Sequence, residues 1–284
     1  MAITITQLFV FPVKSLRGIA IQDATLSPTG FKWDRHWMIV KPDGGFISQR
    51  QFPQMVLIKT KIENEQLILS KVGMSDFHLD LNQHNDSPVF TGKVWKDYCD
   101  VVDEGEDSSQ WLTEAIGAPT PLRLVRMADG HQRPQSKPEL LGEATTTKFA
   151  DAAPFLVCNQ ASLDALNQSM VRNDFSPVTM EHFRPNIVIE GVGAFEEHQI
   201  KAIEHKQYQL KHCYPCQRCA VPTIDITKGQ RHPQQQPFSL ISELNSMPEN
   251  AKAPAFGENA ILIQGNNQTI RVGDQLKEVY ENIN

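Results

Sequence analysis

A chain of 284 residues, 40% of them apolar, can bury a sizeable core and allows about two domains. Its net charge of −6 excludes a broad nucleic-acid or anionic-membrane footprint, so any basic site must be local. No apolar run approaches the roughly 20 residues of a membrane helix, and the N-terminus lacks the cationic opening of a secretory signal. The five cysteines, three of them close together, therefore point to reduced thiols in the cytoplasm rather than a disulfide scaffold.

In chain order, "ITITQLFVF" (3–11) alternates with period two and predicts a half-buried strand. Two hairpins follow in 36–48 and 56–70, each with turn residues, Pro42 to Gly45 and Glu63 to Glu65, between β-formers. A short helix is expected over "SQWLTEAIG", capped by Ser108 or Ser109 and ended by Gly117. The stretch 126–151 reads as a long polar loop of the functional kind. "PFLVC" (154–158) and "PNIVIEG" (185–191) fit buried strands, and "QASLDALNQSM" and "PFSLISELNSM" carry helical spacing. Residues 196–212 form a polar hairpin, and 260–274 a last hairpin about Gly265-Asn266-Asn267.

The densest chemistry lies in "KHCYPCQRCAVPTID" (211–225), which sets Cys213, Cys216 and Cys219 within seven residues. A structural zinc site needs four ligands, yet no cysteine follows Cys219, and His198, His205 and His212 fall in the polar hairpin. The bacterial ferredoxin run matches at three positions and then meets Val221-Pro222-Thr223. A thioredoxin-like pair would open a helix, whereas "AVPTIDIT" reads as extended, with Pro222 unfit for a helix interior. Two readings remain: one thiolate ligand for a bound metal cofactor, or small buried packing residues. Packing is the reading for Cys213 and Cys216.

Seven motifs bear on Cys219: "FPVKS" at 11–15, "DRHWMIV" at 34–40, "APFLVCNQASL" at 153–163, "FRPNIVI" at 183–189, "CQRCAVPTID" at 216–225, "FGENAIL" at 256–262 and "RVGD" at 271–274. In this order they resemble the MOSC superfamily, and within it the amidoxime-reducing proteins with an N-terminal MOSC-like β domain. The resemblance implies a mixed α/β, β-dominated fold: an N-terminal MOSC-like β domain over 1–118 and a MOSC β-barrel domain with peripheral helices over 119–284. It implies a molybdenum-cofactor-dependent oxidoreductase that reduces N-hydroxylated compounds, N–OH to N–H, with electrons from a separate flavoprotein or iron–sulfur reductase. Cys219 would coordinate the molybdenum of a molybdopterin cofactor, and a soft thiolate suits such a metal. Lys14, Ser15, Arg35, the backbone at Ala152 and Ala153, Arg184, Asn186, Gln217, Arg218 and Asn259 would bind the cofactor's phosphate and pterin.

Taken singly, Lys14 and Arg35 read equally as a strand-end charge and a surface ion-pair partner, and His36 with Trp37 as packing. The chain departs from its relatives at Ala152 and Ala153, where hydroxyl residues are usual. It also has no cysteine after Cys219 to hold an iron–sulfur cluster, so electrons must come from outside. Because Lys14 and Arg35 lie in one half of the chain and Cys219 in the other, the cofactor is expected in a cleft between the halves. A carrier of sulfur or of the cofactor, using Cys219 beside Arg218, is the alternative.

Overall fold

A computed structural model describes residues 2–82, 87–135 and 137–280. Its main feature is a closed seven-strand barrel. Ile3–Val10 lies between Ile187–Glu190 and Gln275–Val279. The ring continues through Ala202–His205, Tyr208–Gln217 and Asn250–Gln264 to Phe155–Asn159, which closes it against Ile187–Glu190. That closing pair is parallel and therefore needs a crossover. The helix Gln160–Arg172 supplies it, with the Asn159 side chain accepting the Ala161 N–H as its N-cap at 3.1 Å.

The continuous apolar runs exist because the barrel wall is buried on both faces. Val157, Ile187 and Ile189 point into the barrel core with Ile3, Ile5 and Leu210. Their neighbours Cys158 and Val188 point outwards, under Leu163, Leu166, Leu240 and Ile241 of the two covering helices. Each such side chain contributes about 1.5–3 kcal/mol of burial.

The second body is a four-stranded sheet in the order Val89–Val94, Asp97–Asp103, Arg123–Met127, Trp37–Val40, beside a three-stranded meander over residues 59–80. Trp37 and Ile39 enter one core and Met38 and Val40 another, as period two demands. The helix Glu106–Ile116 packs against this sheet. It ends at Gly117 in the left-handed conformation, as the sequence indicates, but it starts at Gly105 without a side-chain cap. Ser108 and Ser109 are buried in its first turns, the Ser108 hydroxyl donating to the Gly105 carbonyl at 2.7 Å.

Sheet membership does not follow the halves of the sequence, since Ile3–Val10 belongs to the barrel and Arg123–Met127 to the four-stranded sheet. The chain passes between the two bodies in segments 11–17, 33–36 and 148–154, and these run side by side. Arg35 N–H donates to the Phe11 carbonyl at 2.8 Å, and Phe149 N–H to the Arg35 carbonyl at 3.0 Å.

Three local expectations change. Thr269–Arg271 does not fold back on Asn250–Gln264 but pairs with Asp23–Thr25, drawn there by bonds between Leu26 and the 267–268 backbone. The long loop carries a small bridge, Arg133–Pro134 with Thr146–Thr147, and one helical turn, Pro138–Leu141. After Cys219 the chain makes a 3-10 turn, Val221–Thr223, before the short strand Ile224–Asp225. No helix among the described residues is long and apolar enough to cross a membrane.

Candidate active site

A cleft opens where the crossing segments meet. Lys14, Ser15, Arg35, Ala152, Ala153, Arg184, Asn186, Arg218, Cys219 and Asn259 all line it. Gln217 alone of the expected residues stands apart, exposed at the end of its strand. Three lining residues sit in the left-handed backbone region, Ser15 at φ 69°, Arg35 at φ 44° and Arg184 at φ 57°. Each costs about 1–3 kcal/mol and persists only where its surroundings enforce it. Gln49 Nε2 donating to the Ser15 carbonyl at 2.7 Å and the Arg35 bond to Phe11 are two such restraints.

The site is cationic, and its cations are anchored from behind. Arg35 Nη1 bonds both Asp34 oxygens, at 2.8 and 2.6 Å, and its Nη2 donates to the Arg184 carbonyl at 2.9 Å. Arg184 donates to the Leu16 carbonyl at 2.6 Å, and both guanidinium groups lie near the Phe11 ring, at 4.5 and 4.3 Å. Burial, and next the charge of Arg35, bring the Arg184 guanidinium down to about 9, still charged at neutral pH. Lys14 donates to the Phe149 carbonyl at 2.7 Å and pairs with Asp151. Burial lowers the Lys14 ammonium, with Asp151 opposing. Desolvation would raise the Asp151 carboxyl, but Lys14 and then the Trp95 N–H override it and hold it well below the usual carboxylate range. The Asp151 side chain is 54% exposed, which limits what that pair contributes to stability.

Asn186 ties the site to the barrel. Its side-chain oxygen accepts from Arg35 Nη1 and from Leu156 N–H, both at 3.2 Å, and its backbone carbonyl accepts from Phe9 N–H at 2.9 Å. Asn259 is buried on the neighbouring strand, its Nδ2 donating to the Tyr214 carbonyl at 3.4 Å.

The three cysteines separate. Cys219 lines the cleft, and so does Cys216, which the sequence assigns to packing. Register shifts at 212–214 and 215–217 of its strand re-aim Cys216 into the cavity. Arg218 Nη1 donates to its sulfur at 3.1 Å and Nη2 to the Phe183 carbonyl at 2.7 Å, while the buried Nε–H finds no partner among the described residues. Cys213 stays outside, and burial pushes its thiol up to about 11. His36 and Trp37 are packing, the Trp37 N–H bonded to Glu104 at 2.7 Å. Among the described residues, no three His, Cys, Asp or Glu side chains converge as a metal-binding group.

Sequence reasoning passed over Phe11, Asp34, Arg50 and Asp151. Asp34 and Asp151 each stand next to an expected site residue, which was the available signal.

The model of the MOSC N-terminal beta barrel domain matches residues 2–119 and that of the MOSC domain residues 144–277. Mitochondrial amidoxime-reducing component 1 of Mus musculus is 32% identical over 95% of this chain and 81% of its own length. The protein of that name from Xenopus laevis is 30% identical over 97% and 82%. The molybdenum cofactor sulfurase of Homo sapiens is 28% identical over 84% of this chain and 28% of its own. With both matched domains in order and such relatives along nearly its full length, the chain belongs to the MOSC family, alongside the amidoxime-reducing components.

Proposed function

We propose that the protein is a molybdenum-cofactor-dependent oxidoreductase that reduces N-hydroxylated compounds, with electrons delivered by a separate reductase. The observation that carries this reading is the meeting of Cys219 with Lys14, Arg35, Arg184 and Arg218 in one cleft. The donor set fits such a cofactor. Cys219 offers a soft thiolate to the metal, and the four cations offer charge-assisted bonds to a phosphate. The amides of Asn186 and Asn259 and the backbone at Ala152 and Ala153 suit a hydrogen-bonding pterin. The orphaned Arg218 Nε–H is a buried donor that a bound acceptor would satisfy. When bound, the cofactor supplies two-electron oxygen-atom transfer, so that N–OH plus two electrons and two protons becomes N–H plus water. The chain's own part is to hold that group, keep its anionic end neutralised and leave the thiol side of the cleft open to substrate.

Protein made in a host that synthesises the cofactor should contain molybdenum and pterin. It should reduce a model hydroxylamine with a reduced dye as donor, but not with NADH or NADPH alone. Nicotinamide-driven turnover without an added reductase would contradict the need for a partner.

The second reading, a sulfur or cofactor carrier using Cys219, is favoured by the Cys216–Arg218 contact beside it, which sets a second sulfur and a cationic donor in the same cleft. A mass gain of one sulfur atom on either cysteine, without molybdenum, would select it.

A further inference from the structure

Behind the cleft lies a separate cavity of about 390 Å³, large enough for a small organic ligand. The two spaces share a partition built from two 3-10 turns that pack against each other, Met180–Phe183 and Val221–Thr223. At the first turn His182 lines the cavity, while Phe183 and Arg184 line the cleft. At the second, Pro222 and Thr223 line the cavity and Val221 the cleft. The segment 176–179 and the hairpin of Ile224–Asp225 with Gln230–Arg231 complete the wall.

The polar groups of this cavity are set as donors. The Thr179 N–H donates to His182 Nδ1 at 3.1 Å, and the Gln234 and Gln236 N–H groups donate to His232 Nδ1 at 3.2 and 3.4 Å. Each ring therefore carries its proton on Nε2, which makes both imidazoles donors towards a ligand rather than metal ligands. Burial lowers the His182 imidazolium, so this ring donates while uncharged at neutral pH. The carboxylate in the wall, Asp225, is already engaged, its Oδ1 accepting the Thr227 and Lys228 N–H groups at 2.8 and 3.1 Å and its Oδ2 lying 3.6 Å from Lys228 Nζ. Arg231 donates to the Arg50 carbonyl and has no ion-pair partner among the described residues. One acceptor stands out against these donors. Gln236 is only 8% exposed; its Nε2 donates to Ser239 Oγ at 2.7 Å, and its Oε1 is buried with no partner among the described residues. A buried amide oxygen left so is costly, and a ligand N–H would relieve it.

We infer that this cavity is a second ligand site, separate from the cleft, for a small organic carboxylate with an N–H beside it and an apolar body, the chemistry of an N-acylated amino acid. The carboxylate meets Arg231 and the two imidazole N–H groups, the acylated N–H meets Gln236 Oε1, and the apolar side chain packs on Met170, Val178 and Ile224. The site holds whatever reaction the cleft performs. Because its occupant rests on the partition, it also braces the turn that carries Arg184 and the one that follows Cys219. A ligand that binds only the closed wall suppresses its local opening, about 100-fold at 100 times Kd.

Calorimetric titration with N-acetyl-L-leucine, its methyl ester and 4-methylpentanoate tests this, and hydrogen exchange of the bound protein locates the ligand. The wild type should bind N-acetyl-L-leucine about tenfold more tightly than the ester, which lacks the charge. It should bind it about fivefold more tightly than 4-methylpentanoate, which lacks the acylated N–H. Gln236→Met should bring N-acetyl-L-leucine down to the level of 4-methylpentanoate. His182→Asn keeps an acceptor for the Thr179 N–H but removes the Nε2–H, and should weaken both carboxylates about fivefold. Exchange should slow over 176–182 and 222–236 but not over 11–17, which a ligand in the cleft would cover. Absence of saturable heat from N-acetyl-L-leucine, equal affinity of the wild type for all three ligands, or protection over 11–17 in place of 222–236 overturns the site. Should Gln236→Met fail to fold, the three ligands on the wild type still decide.

Discussion

At Arg218 two roles share one side chain. The guanidinium holds the Phe183 carbonyl and touches the Cys216 sulfur at 3.1 Å, so it fixes the loop that presents Cys219 while lending positive charge to the thiol beside it. Cys216→Ser should therefore lower dye-driven reduction about threefold to tenfold, the range expected for weakening one charge-assisted contact. Cys213→Ser, outside the cleft, should keep near-normal turnover with a small loss of stability. Equal losses in both variants would erase the distinction. The motif around Cys219 was legible from the sequence, but the inward turn of Cys216 was not, because it depends on strand irregularities that no spacing reveals. Asp151 was missed for a related reason. Its partner Lys14 lies 137 positions away, so nothing local marks the pair.

Among the elements, the strand Asn250–Gln264 bears most of the constraint. Gly257, at φ 76°, lies so close to its neighbour that an added Cβ would sit 2.5 Å from Cys158 Sγ and 2.8 Å from the Val157 carbonyl. Gly257→Ala should cost about 3 kcal/mol in denaturant unfolding, through backbone strain and the opened barrel seam; an unchanged midpoint would show that the seam relaxes freely. The next residue, Glu258, is buried, and its carboxyl is raised to about 9, by desolvation first and then by Glu197. Asn245 Nδ2 donates to His198 Nε2 at 2.9 Å, which assigns the proton to Nδ1, and Nδ1 donates to Glu258 at 2.8 Å.

Because the folded state holds the Glu258 proton more tightly than the unfolded chain, this group's contribution to stability is complete below pH 4.5 and declines as pH rises towards 9. His212, lowered to about 4 by burial, acts oppositely but only up to about 6.5, and Arg184 and the Cys213 thiol, at about 9 and about 11, begin to weigh only towards pH 9, so the glutamate is read best from pH 7 to 8. Across that interval Glu258→Gln should flatten the fall in melting temperature relative to wild type. Parallel curves for the two proteins would refute a retained proton. Strands and hairpins of this kind were readable because alternation and turn residues are local signals. The pairing of Thr269–Arg271 with Asp23–Thr25 was not, since a strand's partner across the chain leaves no mark on its own sequence.

For the molecule as a whole, the cleft is a consequence of how the chain is threaded. The N-terminal strand is built into the barrel, so the chain must cross to the second body and return, and the crossings bring Lys14, Ser15, Arg35, Ala152 and Ala153 against Arg184, Asn186 and Cys219. The order of motifs was legible in the sequence, as was the expectation of a shared cleft. The threading was not, because Ile3–Val10 reads as an ordinary strand whichever sheet receives it. We propose Cys219 as the thiolate that would make this cleft a redox site, and the rate of dye-driven reduction of a model N-hydroxylated compound by cofactor-loaded Cys219→Ala tests this most directly. Turnover should fall to background, while pterin content falls less because Lys14, Arg35 and Arg184 remain. Near-normal turnover in Cys219→Ala would contradict it.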